Sequence, residues 1–282
     1  MRIGVSPFAS TAAGVRRVAA AAVDGGIDTI WLGDGLLVVD AFPMWSGGLE
    51  PFVELSYFAG RHPGIRVGLG AAVVPLRDVL WLAKQAATLD QLTEGNFVLV
   101  VAPGFWEREF TYRGLSFRDR GARFDDLVGA LRAAFAGEPY EGESVRLPAE
   151  GRLSPVPFTA GGPPLWYAGG PHTFDRAIRD GAPFQARPAA PPTLAPLAAE
   201  WFDRGGTDLA VRVPFELSDR VESTDVLLRG PASYLADELA AYRDIGVADV
   251  SLMPGRDDEA SLRTVEALAA DVLPVLSATP PR

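Results

Sequence analysis

Apolar and polar positions recur along this chain in two alternating patterns, and each change of pattern marks an element. From Trp81, the residues Leu82, Ala83, Ala86, Leu89 and Leu92 return at helical spacing. Thr93-Glu94-Gly95 interrupts the pattern, with Gly95 suited to a helix C-terminus. Phe97-Val98-Leu99-Val100-Val101 follows as an unbroken apolar run of strand length, as expected for a strand covered by helices on both faces. The couplet repeats. Strands are predicted over 2–6, 28–32, 65–74, 97–101, 165–168, 182–186, 208–213 and 247–253. Helices are predicted over 12–23, 50–59, from Trp81 onward, and over 119–136, 172–179, 194–204, 231–244 and 257–276. In the 119–136 helix, Phe124, Leu127, Val128, Leu131 and Phe135 line one face.

Two stretches break the rhythm. Residues 36–48 form a long loop after the second strand. Residues 138–164 are rich in Gly, Pro and Glu with weak periodicity, and read as an excursion with a small hairpin. Eight strand–helix units without a linker-like shift in composition predict a (β/α)8 TIM barrel, with residues 1–282 as a single domain. A doubly wound open sheet is the alternative, but no G-x-G-x-x-G follows an early strand.

Composition narrows the chemistry. The net charge of −10 argues against sequence-independent nucleic-acid binding. No window has the apolar length of a membrane span. The absence of cysteine excludes disulfides, thiolate metal sites and a cysteine nucleophile. With only His62 and His172, a multi-histidine metal site is not expected, and no G-x-S-x-G elbow is present. The N-terminus reads as a first strand, not a signal peptide, so the chain is expected to be cytoplasmic. Candidate chemistry gathers after the fourth strand, where ligands bind in βα folds. There Gly104 offers backbone freedom, Phe105 and Trp106 flat apolar surface, and Glu107 and Arg108 charge.

The stretches LAKQAATLDQLTEGNFVLVVAPGFWEREF and RGLSFRDRGARFDD resemble the luciferase-like monooxygenase superfamily of flavin- and deazaflavin-dependent barrel enzymes. DGGIDTIWLGDG, EPFVELSYFAGRHPGIRVGLGAAVVPLRD and PLWYAGGPHTFDRAIRDGA support the resemblance, which covers residues 1–185. It implies a flavin or deazaflavin ring in the barrel mouth. Gly169, Gly170 and Thr173 stand where the family binds the cofactor phosphate, a role physically suited to a helix N-terminus. A plain strand-to-helix turn capped by Thr173 is the structural alternative. Arg120 and Arg123 would add charge. The resemblance also implies a non-proline cis peptide in the third strand, by position between Gly70 and Ala71, beside the ring.

Two departures stand out. Gly35 replaces the histidine of the family's common Gly-Asp-His pattern, leaving Asp34 as the ionisable candidate for acid–base work. Pro103 stands where some flavin-binding relatives place a phosphate-gripping arginine. Phe8, Trp45, Phe105 and Trp106 are the candidate substrate-pocket residues, favouring an apolar or planar small molecule. The expected function is a flavin-utilising oxidoreductase, a monooxygenase or a reductase. An 8-hydroxy-5-deazaflavin-type coenzyme is preferred slightly over FMN. The resemblance implies a homodimer through the helices after strands two and three. A non-catalytic barrel, motivated by Gly35 and Pro103, and a hydrolase using Glu107 and Glu109 are the competing readings.

Overall fold

The computed structural model describes residues 1–7, 11–36, 48–255 and 257–278. In chain order the first elements are β1 (Arg2–Val5), α1 (Ala12–Asp24), β2 (Thr29–Leu32), α2 (Pro51–Arg61), β3 (Arg66–Val73), α3 (Val79–Leu92) and β4 (Phe97–Ala102). Then come α4 (Glu107–Tyr112), α5 (Arg120–Ala136), β5 (Tyr140–Glu141), β6 (Arg146–Leu147), β7 (Leu165–Ala168), α6 (Pro171–Asp180) and β8 (Phe184–Ala186). The chain continues through α7 (Pro191–Asp203), β9 (Leu209–Leu217), β10 (Leu228–Gly230), α8 (Ala232–Asp244), β11 (Val247–Pro254), α9 (Asp258–Ala267) and α10 (Leu273–Ala278). β1, β2, β3, β4, β7, β8, β9 and β11 alternate with helices as the eight units of a (β/α)8 barrel.

The chain comprises two compact units, Leu32–Gly169 and Met1–Trp31 with Gly170–Arg282. In the first, β4 lies between β3 and β7, parallel to both, with Val67 opposite Phe97 and Leu99 opposite Leu165. Residues 97–101 are all buried, as their apolar run predicts. α3 starts at Asp78, whose carboxylate accepts from the N–H groups of Leu80 and Trp81, both at 2.9 Å. The excursion holds the antiparallel β5–β6 hairpin and is tied to three α3 side chains by four hydrogen bonds. Lys84 Nζ donates to Ser154 O (2.5 Å), Gln91 Nε2 to Val156 O (2.8 Å), and the buried Asp90 accepts from Thr159 N (2.7 Å) and Oγ1 (3.0 Å).

In the second unit, β1 pairs in parallel with β2 and β11, and β9 pairs in parallel with β11, β8 and β10. Trp31 is core, its indole filling the space a side chain at Gly4 would occupy.

Several boundaries differ from expectation. The final helix is interrupted by a π-turn over Leu268–Val272 before α10. Pro274 offers no N–H to the preceding turn, and periodicity cannot register that break. α7 begins at Pro191, because prolines are tolerated in a first helical turn. β10 and the short α4 were not predicted, since neither is long enough to show a period.

Candidate functional site

In the Leu32–Gly169 unit, the polar residues gather where β2, β3 and β4 end. β2 runs into Gly33-Asp34-Gly35, and a 3-10 turn over Val74–Leu76 carries β3 to Arg77. The two meet. Asp34 Oδ1 accepts from Arg77 Nη2 at 2.7 Å and Oδ2 from Arg77 Nε at 2.8 Å, a forked pair. Val73 N donates to Oδ2 at 3.3 Å. Arg77 Nη2 also reaches Glu50 Oε1 at 3.2 Å. The Asp34 side chain is only 7% exposed. Burial works against the Arg77 charge, but Asp34 and Glu50 outweigh it and raise the guanidinium above its ordinary value.

Glu109, the third residue of α4, is buried and accepts from Leu36 N at 3.1 Å. Its burial pushes the carboxyl up; the Leu36 hydrogen bond opposes this and the nearby Asp34 charge adds to it. Glu107 is exposed while Glu109 is buried. The adjacent-but-one pair therefore does not present two carboxylates together; both lie in the first turn of α4.

The Gly70–Ala71 peptide is cis, at the position the resemblance implies. The β3–β4 register shifts there, with Leu69 opposite Leu99 but Ala72 opposite Val101. Gly104 has φ +84°, and a Cβ on it would lie 2.8 Å from Val73 Cγ1 and 2.9 Å from the Phe110 ring. Its glycine is thus required by backbone conformation and close approach. Phe105 is exposed at 66%, and Trp106 precedes α4 as its N-cap residue, partly buried. Arg120 donates to Gly104 O (3.2 Å) and Phe117 O (2.9 Å), bracing this loop. Arg123 donates to Pro75 O (3.2 Å) and Ser144 Oγ (3.4 Å).

In the second unit, Gly170 is the N-cap of α6, and among the described residues no side chain caps that terminus. The buried Thr173 lies in its first turn, with its N–H bonded to Gly170 O at 2.9 Å. Arg187, immediately after β8, lies over Gly170; a Cβ there would sit 3.0 Å from Arg187 Nη2. An exposed guanidinium thus stands beside an uncapped helix N-terminus.

Asp34, Gly70, Ala71, Gly104, Phe105 and Trp106 all belong to the first unit, as do Arg123 and Gly169; Gly170 and Thr173 belong to the second. Phe8 and Trp45 lie outside the described residues. Sequence reading missed Arg77, the burial of Glu109, and Arg187. The one local signal for Arg187 was its place directly after a strand's C-terminal end. Arg77 carries none, because its partner is 43 residues away.

The model of the luciferase-like monooxygenase family matches residues 2–217, and the chain belongs to that family. A flavin-dependent trigonelline monooxygenase, oxygenase component, of Acinetobacter baylyi is 24% identical over 168 residues, 58% of this chain and 45% of that protein. A phthiodiolone/phenolphthiodiolone dimycocerosates ketoreductase of Mycobacterium sp. is 28% identical over 178 residues, 56% of this chain and 47% of that protein. The chain thus spans about half the length of the curated relatives it matches. Among solved structures, the monooxygenase RslO1 from Streptomyces bottropensis superposes with a TM-score of 0.82 at 19% identity, covering 97% of this chain and 99% of that one. An F420-dependent secondary alcohol dehydrogenase does so with a TM-score of 0.81 at 14% identity, covering 98% of each chain. Both likenesses are of fold.

Proposed function

We propose that the chain is a flavin-utilising oxidoreductase, taking a deazaflavin coenzyme in slight preference to FMN and acting on a small organic molecule with an apolar or planar body. The observation that carries this is the uncapped N-terminus of α6 with Arg187 over Gly170, within a chain of the luciferase-like family. Gly170 leaves a cradle that any side chain would narrow, and the amides and guanidinium there suit a phosphate. Relatives described as flavin-dependent and as F420-dependent support the two cofactor classes equally.

In this reading Gly169, Gly170, Thr173 and Arg187 take the phosphate. Arg123, in the first turn of α5, is already engaged through Nε and Nη1. Gly70, Ala71 and Gly104 give flat backbone to the ring. Phe105 and Trp106 give apolar surface to the substrate. Asp34, clamped by Arg77, presents a fixed carboxylate that accepts a hydrogen bond from a ring or substrate N–H. The cofactor, when bound, supplies the redox chemistry; the chain binds, orients and excludes water.

The test is a fluorescence titration with deazaflavin and with FMN, each oxidised and reduced. Low-micromolar binding of one is expected, weakened about tenfold in Arg187→Gln. If neither binds below the millimolar range, the reading fails, and a non-catalytic barrel, which Gly35 and Pro103 would suit, takes its place.

The proposed assembly is a homodimer through α2 and α3. Val53, Tyr57, Leu80 and Trp81 leave these helices with an exposed apolar face. A groove of about 500 Å3 beside Trp81, lined also by Leu147, Pro148 and Leu153, extends it.

A further inference from the structure

The glycines on either side of Asp34 leave its direction to its partners. Gly33 and Gly35 carry no side chains to pack, so the carboxylate is held by Arg77 and by the Val73 N–H at 3.3 Å. Arg77 is held in turn from α2. Its Nη2 carries two hydrogens, enough to meet Asp34 Oδ1 at 2.7 Å and Glu50 Oε1 at 3.2 Å together. Its guanidinium also lies 5.5 Å from the centre of the ring of Phe52, the buried second residue of α2. The start of α2 therefore fixes the plane of the guanidinium, and the guanidinium fixes the plane of the carboxylate.

Glu50 is an unusual residue for its place. It is the N-cap of α2, and its Oε2 accepts from Val53 N at 2.9 Å. Shorter side chains are the preferred caps, because their oxygen lies close to the first-turn N–H groups. Elsewhere among the described helices, the side chains that cap are Thr11, Asp78 and Asp257. A cap alone would be served by Asp or Ser at position 50. The longer Glu brings a second oxygen within reach of Arg77, 27 residues away. Both carboxylate oxygens are thus used, one for the helix and one for the clamp.

We infer that Glu50 is a positioning residue: it holds the Arg77 fork in place and, through it, aims the Asp34 carboxylate at the bound cofactor. This rests on the reading above, in which Asp34 accepts an N–H of a bound molecule.

Glu50→Asp separates the two uses of the residue, because it keeps the charge and the cap but falls short of Arg77. Its melting temperature is expected to stay within a few degrees of wild type. The Val73 amide, which donates to Asp34 Oδ2, should exchange with deuterium about tenfold faster, read by NMR without cofactor. The Leu99 amide, bonded to Pro164 O at 3.0 Å in the same unit, is the control and should not change. In the cofactor titration, Glu50→Asp and Asp34→Asn should each weaken binding about fivefold, and the double variant no more than either alone. Glu50→Gln, whose single carbonyl oxygen replaces two carboxylate oxygens, should speed Val73 exchange in the same way and serves if Glu50→Asp does not fold. Exchange at Val73 equal to wild type overturns the inference. So does equal acceleration at Val73 and Leu99, which would mark Glu50 as a cap and nothing more. Cofactor affinity unchanged in Glu50→Asp overturns it too, as do effects of Glu50→Asp and Asp34→Asn that multiply in the double variant. If the wild-type protein binds neither cofactor, the enzyme reading fails by itself, while Val73 exchange still decides whether Glu50 sets Asp34.

Discussion

At the scale of single residues, the Asp34–Arg77 pair is a forked and largely buried contact of the first unit. Both partners are largely buried, at 7% and 18% side-chain exposure, and joined by two hydrogen bonds. Removing one partner leaves the other charge stranded. Asp34→Ala is expected to cost about 3 kcal/mol in urea denaturation. The double variant with Arg77→Met should cost clearly less than the two single changes added; strict additivity would show that the pair is not coupled. Glu109 makes a different prediction. Its carboxyl is raised in the folded protein, chiefly by burial, so the neutral form is the one the fold favours. Its contribution is complete below the unfolded value of about 4.3 and is lost as pH rises through the native value. Glu109→Gln, which keeps an acceptor for Leu36 N–H, should therefore gain stability relative to wild type as pH climbs from about 4 to 8. A difference that stays flat over that range would contradict this.

At the scale of elements, the excursion after α5 depends on α3 for its position. Asp90 is fully buried and accepts two hydrogen bonds from Thr159, so its loss leaves the Thr159 N–H and hydroxyl without their acceptor. Asp90→Ala is expected to cost about 2 kcal/mol and to raise proteolytic cleavage within 148–160, with cofactor affinity unchanged. Unchanged cleavage would mean that Lys84 and Gln91 suffice to hold the segment. The α8 helix holds the loop after β8 in a similar way. Tyr242 Oη donates to Ala189 O at 2.5 Å, two residues from Arg187, and burial pushes its phenol well above the ordinary value. The phosphate-side cation proposed here thus sits on a loop fixed by a neighbouring helix.

At the scale of the whole molecule, the proposed dimer carries its own prediction. A charge on the exposed face of α3, in Trp81→Glu, should shift the protein to monomer in sedimentation without altering its melting temperature by more than a few degrees. If Trp81→Glu leaves the sedimentation of a dimer unchanged, this face is not the interface. The net charge of −10 keeps the surface acidic, which disfavours long-range steering of anionic molecules.

The alternation of apolar runs and amphipathic helices determined the (β/α)8 architecture by itself, because each element reports its own burial through a period of two or 3.6 residues. The β7 strand was legible to the residue, and the cis peptide at Gly70–Ala71 followed from the resemblance carried by the third-strand motif. The site was legible only as strand ends. Asp34 could be named as an ionisable residue after β2, yet not that Arg77 would clamp it. The burial of Glu109 was not legible, because a six-residue helix is too short to display the face it buries. Arg187 over Gly170 and Arg212 on Ser6, the latter pair 206 residues apart, were decided by the tertiary structure alone. Periodicity fixes which face of an element is buried, while the partner of a charged side chain depends on where distant strand ends come together.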